Sequence, residues 1–205
     1  MSLNQTVIGQ FKQPRGVLGH VVGWILAGRG SNLARNRWTV DLLNLGANDR
    51  VLEIGCGPGV ALELVLARGK GVSAVGIDHS KVMIAQARKR NRGAVKKGRL
   101  KLIEGTLEAL PADSAPFDKA FSINLIQFVD DKAAFAARVK SLLKPGGVFA
   151  TTFQPRSAKA TRADALDMAA RVSELLTAAG FTSVRTEELD LKPVPAVCVA
   201  GVRGA

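Results

Sequence analysis

Residues 51–62 constrain the fold of this chain most, because an apolar run there meets three alternating glycines and then a helix-forming segment. The apolar run is typical of a strand buried on both faces, as in a parallel sheet covered by helices. Gly55, Gly57 and Gly59 let the backbone approach a ligand closely, and the N-terminus of the next helix directs free N–H groups at the same place. The stretch therefore predicts a strand, a tight loop and a helix that hold a nucleotide-like group.

Two acidic residues narrow the choice of ligand. Glu53 lies inside the predicted strand, and Asp78 ends the next apolar run. Asp78 follows the glycines by about twenty residues, the position from which an acid bonds ribose hydroxyls in open α/β nucleotide sites. The dinucleotide fingerprint G-x-G-x-x-G requires a third glycine where this chain has Val60. The G-x-G-x-G spacing therefore predicts that NAD does not bind.

These residues resemble the class I, Rossmann-like S-adenosylmethionine-dependent methyltransferases. The first motif of that family is E/D-x-G-x-G-x-G, and its second is an acid that ends strand two. The chain matches both motifs position for position at Glu53, Gly55, Gly57, Gly59 and Asp78. Residues 117–124 are similar to the family's fourth strand and residues 142–147 to the turn into its fifth, so that the resemblance covers roughly residues 45–203. It implies that S-adenosyl-L-methionine is the cofactor.

Predicted strands and helices alternate along the chain, which favours a parallel sheet. Strands are predicted at residues 50–54, 72–77, 100–103, 118–123, 148–153, 184–191 and 196–202. Helices are predicted at residues 31–45, 59–68, 81–92, 130–143 and 162–179. The last two strands resemble the terminal hairpin that distinguishes methyltransferases from dinucleotide dehydrogenases. We therefore expect an α/β fold in a single domain, with a Rossmann-like, doubly wound, mostly parallel sheet of seven strands whose last strand is antiparallel.

The chain divides by prediction into an N-terminal helical lid, residues 1–45, and an S-adenosylmethionine-binding methyltransferase domain, residues 46–205. In the lid, Ser31 is predicted to cap a helix that Gly46 ends in the left-handed conformation. Residues 16–27 are apolar and flanked by cations, but they fall well short of the roughly twenty residues needed to span a bilayer. They predict a helix that either covers the active site or lies in a membrane interface.

The resemblance implies a cofactor site spread over several loops. Cys56 lies in the glycine loop, and His79 follows the ribose acid, where it would pack near adenine. Thr106 and Leu107 fall in the loop that contacts adenine in the family, although the family commonly has Gly-Asp where this chain has Gly-Thr. Asn124 ends the fourth strand at the ligand-binding edge. The predicted cofactor-binding residues are Glu53, Gly55, Cys56, Gly57, Gly59, Asp78, His79, Thr106, Leu107 and Asn124.

Charge and cysteine content suggest the setting of the protein. The 205 residues carry a net charge of +12, and much of the excess lies in residues 88–101, which contain no acid. This excess fits either an anionic partner, such as nucleic acid or lipid headgroups, or a solvated cationic surface. Two cysteines without metal-ligand spacing predict a reducing compartment and no metal site. Without a signal peptide, we expect a cytoplasmic protein, with a peripheral place at the membrane as a variant.

The resemblance implies an S-adenosylmethionine-dependent methyltransferase, and we expect in-line methyl transfer to a small or amphiphilic molecule. A catalytic base is optional for this reaction, and the sequence assigns neither a catalytic residue nor an oligomeric state. Three alternatives stay open: a membrane-surface phospholipid N-methyltransferase, a nucleic-acid methyltransferase and a non-catalytic cofactor-binding protein. Residues 124–128 lack the prolines of the N-P-P-[YF] motif, and a chain with no tyrosine has few platforms for a flipped base. A nucleic-acid acceptor is therefore disfavoured.

Overall fold

A computed structural model describes residues 30–155, 157 and 159–205 of the chain. The helices are α1 (Gly30–Leu42), α2 (Val60–Arg68), α3 (Lys81–Arg90), α4 (Arg92–Lys96), α5 (Lys132–Leu142) and α6 (Arg162–Ala178). The strands are β1 (Arg50–Ile54), β2 (Ser73–Asp78), β3 (Leu100–Glu104), β4 (Phe117–Ile123), β5 (Leu143–Phe153), β6 (Phe181–Leu189) and β7 (Ala196–Arg203). Short 3₁₀ turns span Leu107–Ala109, Ala112–Ser114 and Ile126–Phe128.

The seven strands form one sheet in the order β3-β2-β1-β4-β5-β7-β6. Strands β1 to β5 pair in parallel, whereas β7 runs antiparallel to both of its neighbours, β5 and β6. The predicted doubly wound, mostly parallel sheet with an antiparallel last strand is therefore confirmed. Since β1 lies between β2 and β4, the strand order reverses at β1, and this is where open α/β sheets bind ligands at the carboxyl ends of their strands.

Helices cover both faces of the sheet, and each face has its own apolar core. On one face, Val40 of α1 and Leu62 and Val65 of α2 pack against the strands. On the other face, the buried residues come from α5 and α6, with Val139 and Val172 among them. Burial on both faces explains why the central strands are apolar along their whole length instead of alternating.

Two helix boundaries differ from the sequence prediction near the N-terminus of the described chain. Helix α1 spans Gly30–Leu42, so that Ser31 lies inside the helix instead of capping it. The chain then turns at Asn44, which has a φ of 47°, and not at Gly46. Asparagine is one of the few residues with a side chain that tolerates this left-handed conformation, so the turn does not need the glycine.

Two other predicted boundaries shift for reasons of hydrogen bonding. Helix α3 starts at Lys81 as predicted, where the Ser80 hydroxyl accepts a bond from the Met83 N–H, but it ends at Arg90 instead of residue 92. There the Asn91 side chain donates to the carbonyls of Ala87 and Gly59, and a separate short helix, α4, follows. Helix α5 starts at Lys132 instead of the predicted residue 130, because the Asp131 side chain caps it by accepting a 2.9 Å bond from the Ala134 N–H. No helix within residues 30–205 that the structure describes is long and apolar enough to cross a membrane.

Candidate cofactor site

The glycine loop, residues 55–59, joins β1 to α2 at the carboxyl edge of the sheet. The backbone N–H groups of Gly55 and Cys56 both donate to the Ile77 carbonyl, at 2.8 and 3.0 Å. The loop is then closed by a 3.0 Å bond from the Gly59 N–H to the Cys56 carbonyl. These bonds hold the loop against the end of β2, which places it beside Asp78.

The three glycines of this loop are required for different reasons. A Cβ on Gly55 would lie 3.1 Å from the Leu125 side chain, and one on Gly59 would lie 2.7 Å from the Asn91 amide nitrogen. These two positions require glycine because other parts of the protein pack against them and leave no room for a side chain. Gly57 has a φ of +50°, and a Cβ there would meet no atom within 4 Å. Gly57 therefore borders open space, as a loop that cradles a ligand should.

Asp78 ends β2 and is buried, with 8% of its surface exposed. Its Oδ2 accepts a 2.8 Å bond from the Gly57 N–H, and its Oδ1 accepts a 2.9 Å bond from the Ser80 N–H. Burial raises the pKa of this carboxyl, and the two backbone bonds oppose the rise. Each carboxylate oxygen can accept a second bond, so Asp78 can position the loop and still bind ribose hydroxyls. The side chain of His79 is partly exposed, with Nδ1 3.9 Å from Oδ1 of Asp78.

Glu53 lies in the middle of the site and is almost completely buried. Its Oε2 has no hydrogen-bond partner among the described residues. Burial is the main cause that raises the pKa of this carboxyl well above its usual value, and repulsion by Asp78 adds to it. A buried carboxyl oxygen without a donor is costly, and a bound group that carries a donor or a positive charge removes that cost. The open side of Gly57 and the unsatisfied Glu53 together fit S-adenosylmethionine, which carries ribose hydroxyls, an ammonium group and a sulfonium.

The predicted adenine loop starts beside Asp78, since the Gly105 N–H donates to the Asp78 carbonyl at 2.9 Å. Thr106 is exposed, and its hydroxyl donates to Oε2 of Glu108 at 2.5 Å. This bond lowers the pKa of Glu108. The side chain of Leu107 instead packs in the core, so that Leu107 can contribute to the site only through its backbone. The structure thus brings Thr106 to the surface of the site and turns the Leu107 side chain away from it.

Cys56 belongs to the glycine loop, but its side chain is buried in the core. Burial raises the pKa of this thiol well above its usual value, and the nearby carboxyls of Glu53 and Asp78 add to the rise. A thiol in such surroundings is a packing residue and not a nucleophile, so Cys56 can contribute through its backbone. Among the residues the structure describes, no cluster of three His, Cys, Asp or Glu could hold a metal ion.

Asn124 follows β4 with a φ of 54° and joins two strand ends. Its backbone N–H donates to the Thr152 carbonyl at 2.8 Å, and its side-chain Oδ1 accepts a 2.9 Å bond from the Gln154 N–H. Sequence reasoning placed Asn124 at the ligand edge but missed Gln154. Gln154 is buried, its amide donates to the Val194 carbonyl, and it accepts a bond from Arg35 of α1. Nothing in its local sequence distinguishes it, because its partners come from distant parts of the chain.

An open groove of about 510 Å³ lies beyond these strand ends, and we call it the β4–β5 groove. Its lining residues are Gln127, Phe128, Phe153, Gln154, Pro155, Ser157, Lys159, Ala160 and Asp164. Phe128 is 45% exposed, which is unusual for a phenylalanine. Gln127 donates to the Asn124 carbonyl at 2.8 Å, while its buried Oε1 has no partner among the described residues. The sequence signal for this groove was the segment compared with the N-P-P-[YF] motif, which contains both residues.

Comparison with known proteins agrees with this geometry. Residues 51–147 match a family model described as a methyltransferase domain. The chain is 32% identical to an uncharacterized methyltransferase, YdaC, of Bacillus subtilis over 185 residues, which cover 90% of this chain and 99% of YdaC. It is also 37% identical to trans-aconitate 2-methyltransferase of Variovorax paradoxus over 101 residues, 49% of this chain and 37% of that protein.

Solved structures show the same fold at low sequence identity. Phosphoethanolamine N-methyltransferase 2 of Haemonchus contortus, in complex with S-adenosyl-L-methionine, matches with a TM-score of 0.66 and 16% identity over 84% of this chain and 53% of that one. A methyltransferase from Pyrococcus furiosus matches with a TM-score of 0.66 and 14% identity over 85% of this chain and 84% of that one.

Substitution of Gly57 tests the assignment of the glycine loop. We expect Gly57→Val to weaken S-adenosylmethionine binding by roughly a hundredfold or more, because the branched side chain would fill the open space beside the loop. A valine held at the Gly57 φ of +50° is strained by about 1–2 kcal/mol, but no atom clashes with its Cβ, so the fold should persist. Titration calorimetry measures the affinity, and circular dichroism reports the fold.

The matched control for this substitution is Gly98→Val. Gly98 has a φ of +69° and also has no atom within 4 Å of an added Cβ, but it lies in the turn before β3. Gly98→Val therefore introduces the same backbone strain outside the cofactor site. The affinity of this variant for the cofactor should equal that of the wild type. Equal affinities in all three proteins would show that the loop does not hold the cofactor.

The raised pKa of Glu53 predicts how stability depends on pH. The folded protein holds the Glu53 proton more tightly than the unfolded chain, whose glutamate pKa is about 4.3. The free energy of unfolding should therefore fall as the pH rises from that value through the pKa of the folded state. Glu53→Gln should flatten this fall, although the raised pKa of Asp78 leaves a smaller one of the same sign.

Urea unfolding between about pH 4 and pH 8 measures this dependence. Glu174→Gln, at an exposed position on α6, is the control and should leave the profile unchanged. A wild-type protein whose stability rises with pH across this interval would contradict the prediction, because Glu53 would then be stabilised as a carboxylate.

Proposed function

Because the chain belongs to the family of class I S-adenosylmethionine-dependent methyltransferases, we propose that it methylates a small or amphiphilic molecule held in the β4–β5 groove. The observation that carries this proposal is the contact of the cofactor loop with the short segment of chain that leads into the groove. Leu125, two residues after the end of β4, packs against Gly55, and the groove lining starts two residues later at Gln127. An acceptor in the groove would thus lie beside a cofactor held by the glycine loop.

Residues of the chain's own loops would hold the cofactor. When bound, S-adenosylmethionine supplies a methyl group on a positively charged sulfur, which is already a good leaving group. Asp78 would bind the ribose hydroxyls, since a carboxylate oxygen that accepts one backbone bond can accept a second. Glu53 would bind a cationic or hydrogen-bond donor group through the Oε2 that lacks a partner among the described residues. His79 and Thr106 would border the adenine side of the bound cofactor, and Asn124 would border its acceptor side.

The lining of the groove suits a mostly apolar molecule with a few polar groups. Its volume of about 510 Å³ lies within the range of small-molecule sites. Phe128 and Phe153 provide apolar walls that would exclude water, and Gln127 Oε1 would accept a bond from an N–H or O–H of the acceptor. A good leaving group needs little help from a base, so positioning is the main task of these residues. Trans-aconitate 2-methyltransferase, one of the relatives, is named for a small acceptor, which supports this class.

We further propose that residues 1–45 act as a lid on this groove. In the described part of that segment, Arg35 of α1 donates to Oε1 of Gln154, which lines the groove. Helix α1 therefore reaches the edge of the groove. Residues 1–29, including the apolar residues 16–27, lie outside the described residues, so the choice between a lid and a membrane contact stays a prediction. A membrane contact would favour the phospholipid N-methyltransferase alternative.

Phe128 offers a direct test of the acceptor site. S-adenosylmethionine with a labelled methyl group is incubated with a panel of carboxylic acids, phenols, amines and amphiphiles, to find an acceptor. We then expect Phe128→Ala to lower kcat/KM for that acceptor by roughly ten- to a hundredfold. This fold-change corresponds to the free energy gained when a phenylalanine side chain is buried against a ligand. The affinity for the cofactor should not change.

Val202→Ala is the control for this test, because Val202 is a partly exposed apolar residue on β7 that neither lines the groove nor belongs to the proposed lid. Equal kcat/KM values for the two variants would show that the acceptor binds elsewhere. Cofactor binding without transfer to any acceptor class would instead support the non-catalytic alternative.

Vesicle binding separates the lid from the membrane contact. If residues 16–27 cover the groove, the full chain should stay in the supernatant with vesicles that contain anionic lipid, at a salt concentration near 0.1 M where the Debye length is about 10 Å. Cosedimentation of the wild type that the variant Val21→Asn/Ile25→Asn lacks would show that this segment inserts into the membrane interface. The proposal of a lid would then be wrong.

A further inference from the structure

Six exposed cations form a basic surface beside α2, at the β3 side of the sheet. Arginines and lysines at the end of α3 and along α4 make up this basic surface: Arg88, Lys89, Arg90, Arg92, Lys96 and Lys97. Residues 79–103 contain nine lysines and arginines and no aspartate or glutamate. An ion pair of this surface joins Arg90 to Glu63 of α2, at 3.1 Å. Most of the net charge of +12 is therefore concentrated on one short stretch of the fold.

The backbone beneath these cations is fixed by packing against α2. The Asn91 amide donates to the Gly59 carbonyl at 3.0 Å, between the two helices that carry the charges. At the other end of α4, the Arg99 guanidinium donates to the Leu66 carbonyl at 3.1 Å. Met83, Ile84 and Ala87 of α3 are buried against the domain. A rigid support lowers the entropy that the surface loses on binding, which favours an ordered array of anions.

We propose that this basic surface docks the protein on the phosphate backbone of duplex nucleic acid. A duplex presents one negative charge per about 1.7 Å of its axis, and cations that neutralise it gain affinity by releasing counterions. A membrane interface also attracts cations, but amphipathic binders insert apolar side chains into it. The large exposed hydrophobic residues in the described chain are Leu33 and Phe128, and neither lies on this surface. Aromatic platforms for single-stranded bases are missing from residues 88–97 as well.

The duplex would be a docking partner and not the methyl acceptor. The basic surface lies on the sheet face covered by α1 and α2, at the β3 edge, because α3 contributes Ile84 to that core. The groove lies between β4, β5 and the start of α6, several strands away. Docking would therefore hold the enzyme on nucleic acid while leaving the groove open to small molecules. It goes beyond the proposed methyl transfer and does not depend on it.

Fluorescence anisotropy with a labelled duplex DNA of arbitrary sequence tests this proposal on the full chain. We expect dissociation constants of about 10⁻⁴ to 10⁻⁶ M, with a slope of log K against log salt of about −3 to −5, since each neutralised phosphate contributes about −0.9. Arg88→Gln/Lys96→Gln should weaken binding by at least about fivefold and reduce the slope by about two, one for each phosphate contact removed. Its affinity for S-adenosylmethionine should equal that of the wild type.

The control is Arg171→Gln/Lys192→Gln, which removes the same two charge types at exposed positions elsewhere. Its affinity for the duplex should stay within about twofold of the wild type. Equal losses in the two variants would mean that overall charge and not this surface binds DNA, which would overturn the proposal. Binding of phosphatidylglycerol vesicles that the first variant alone loses, without a matching loss of duplex binding, would assign the surface to lipid and would also overturn it. Failure of the wild-type protein to bind S-adenosylmethionine would count against methyl transfer but would leave this inference intact.

Discussion

The carboxylate of Asp78 is the group on which the rest of the site depends. Its two oxygens accept bonds from the N–H groups of Gly57 and Ser80, and thereby join the glycine loop, the end of β2 and the start of α3. The Gly105 N–H adds the loop after β3 through the carbonyl of the same residue. One acid therefore fixes three loops at the edge where the strand order reverses, and a cofactor would meet a preformed site.

The burial of Glu53 and Asp78 side by side is electrostatically unfavourable. Both carboxyls are buried, burial raises both pKa values, and the charge of Asp78 raises that of Glu53 further. Glu53 retains an oxygen with no donor among the described residues. A positively charged cofactor would relieve this cost, so that stability and cofactor affinity are linked through the same two groups.

The β4–β5 groove, the proposed acceptor side, is built differently, by long-range contacts that join elements distant in sequence. Asn124 bonds to the backbone of Gln154, and Gln154 in turn bonds to Arg35 and to the Val194 carbonyl. The groove thus depends on β4, β5, α1 and the connection between β6 and β7 at once.

The sequence by itself determined the sheet and the cofactor loop, because each depends on short local patterns. Alternating strand and helix patterns predict the parallel sheet, and the spacing of Glu53, the glycines and Asp78 predicts the loop. Local patterns could not assign Gly55 and Gly59 to packing and Gly57 to the ligand, since all three look alike until their neighbours are known. The role of Gln154, the exposure of Phe128 and the burial of the Leu107 side chain were likewise decided by tertiary structure. The physical reason is that these properties depend on contacts between residues far apart in the chain, which no local spacing encodes.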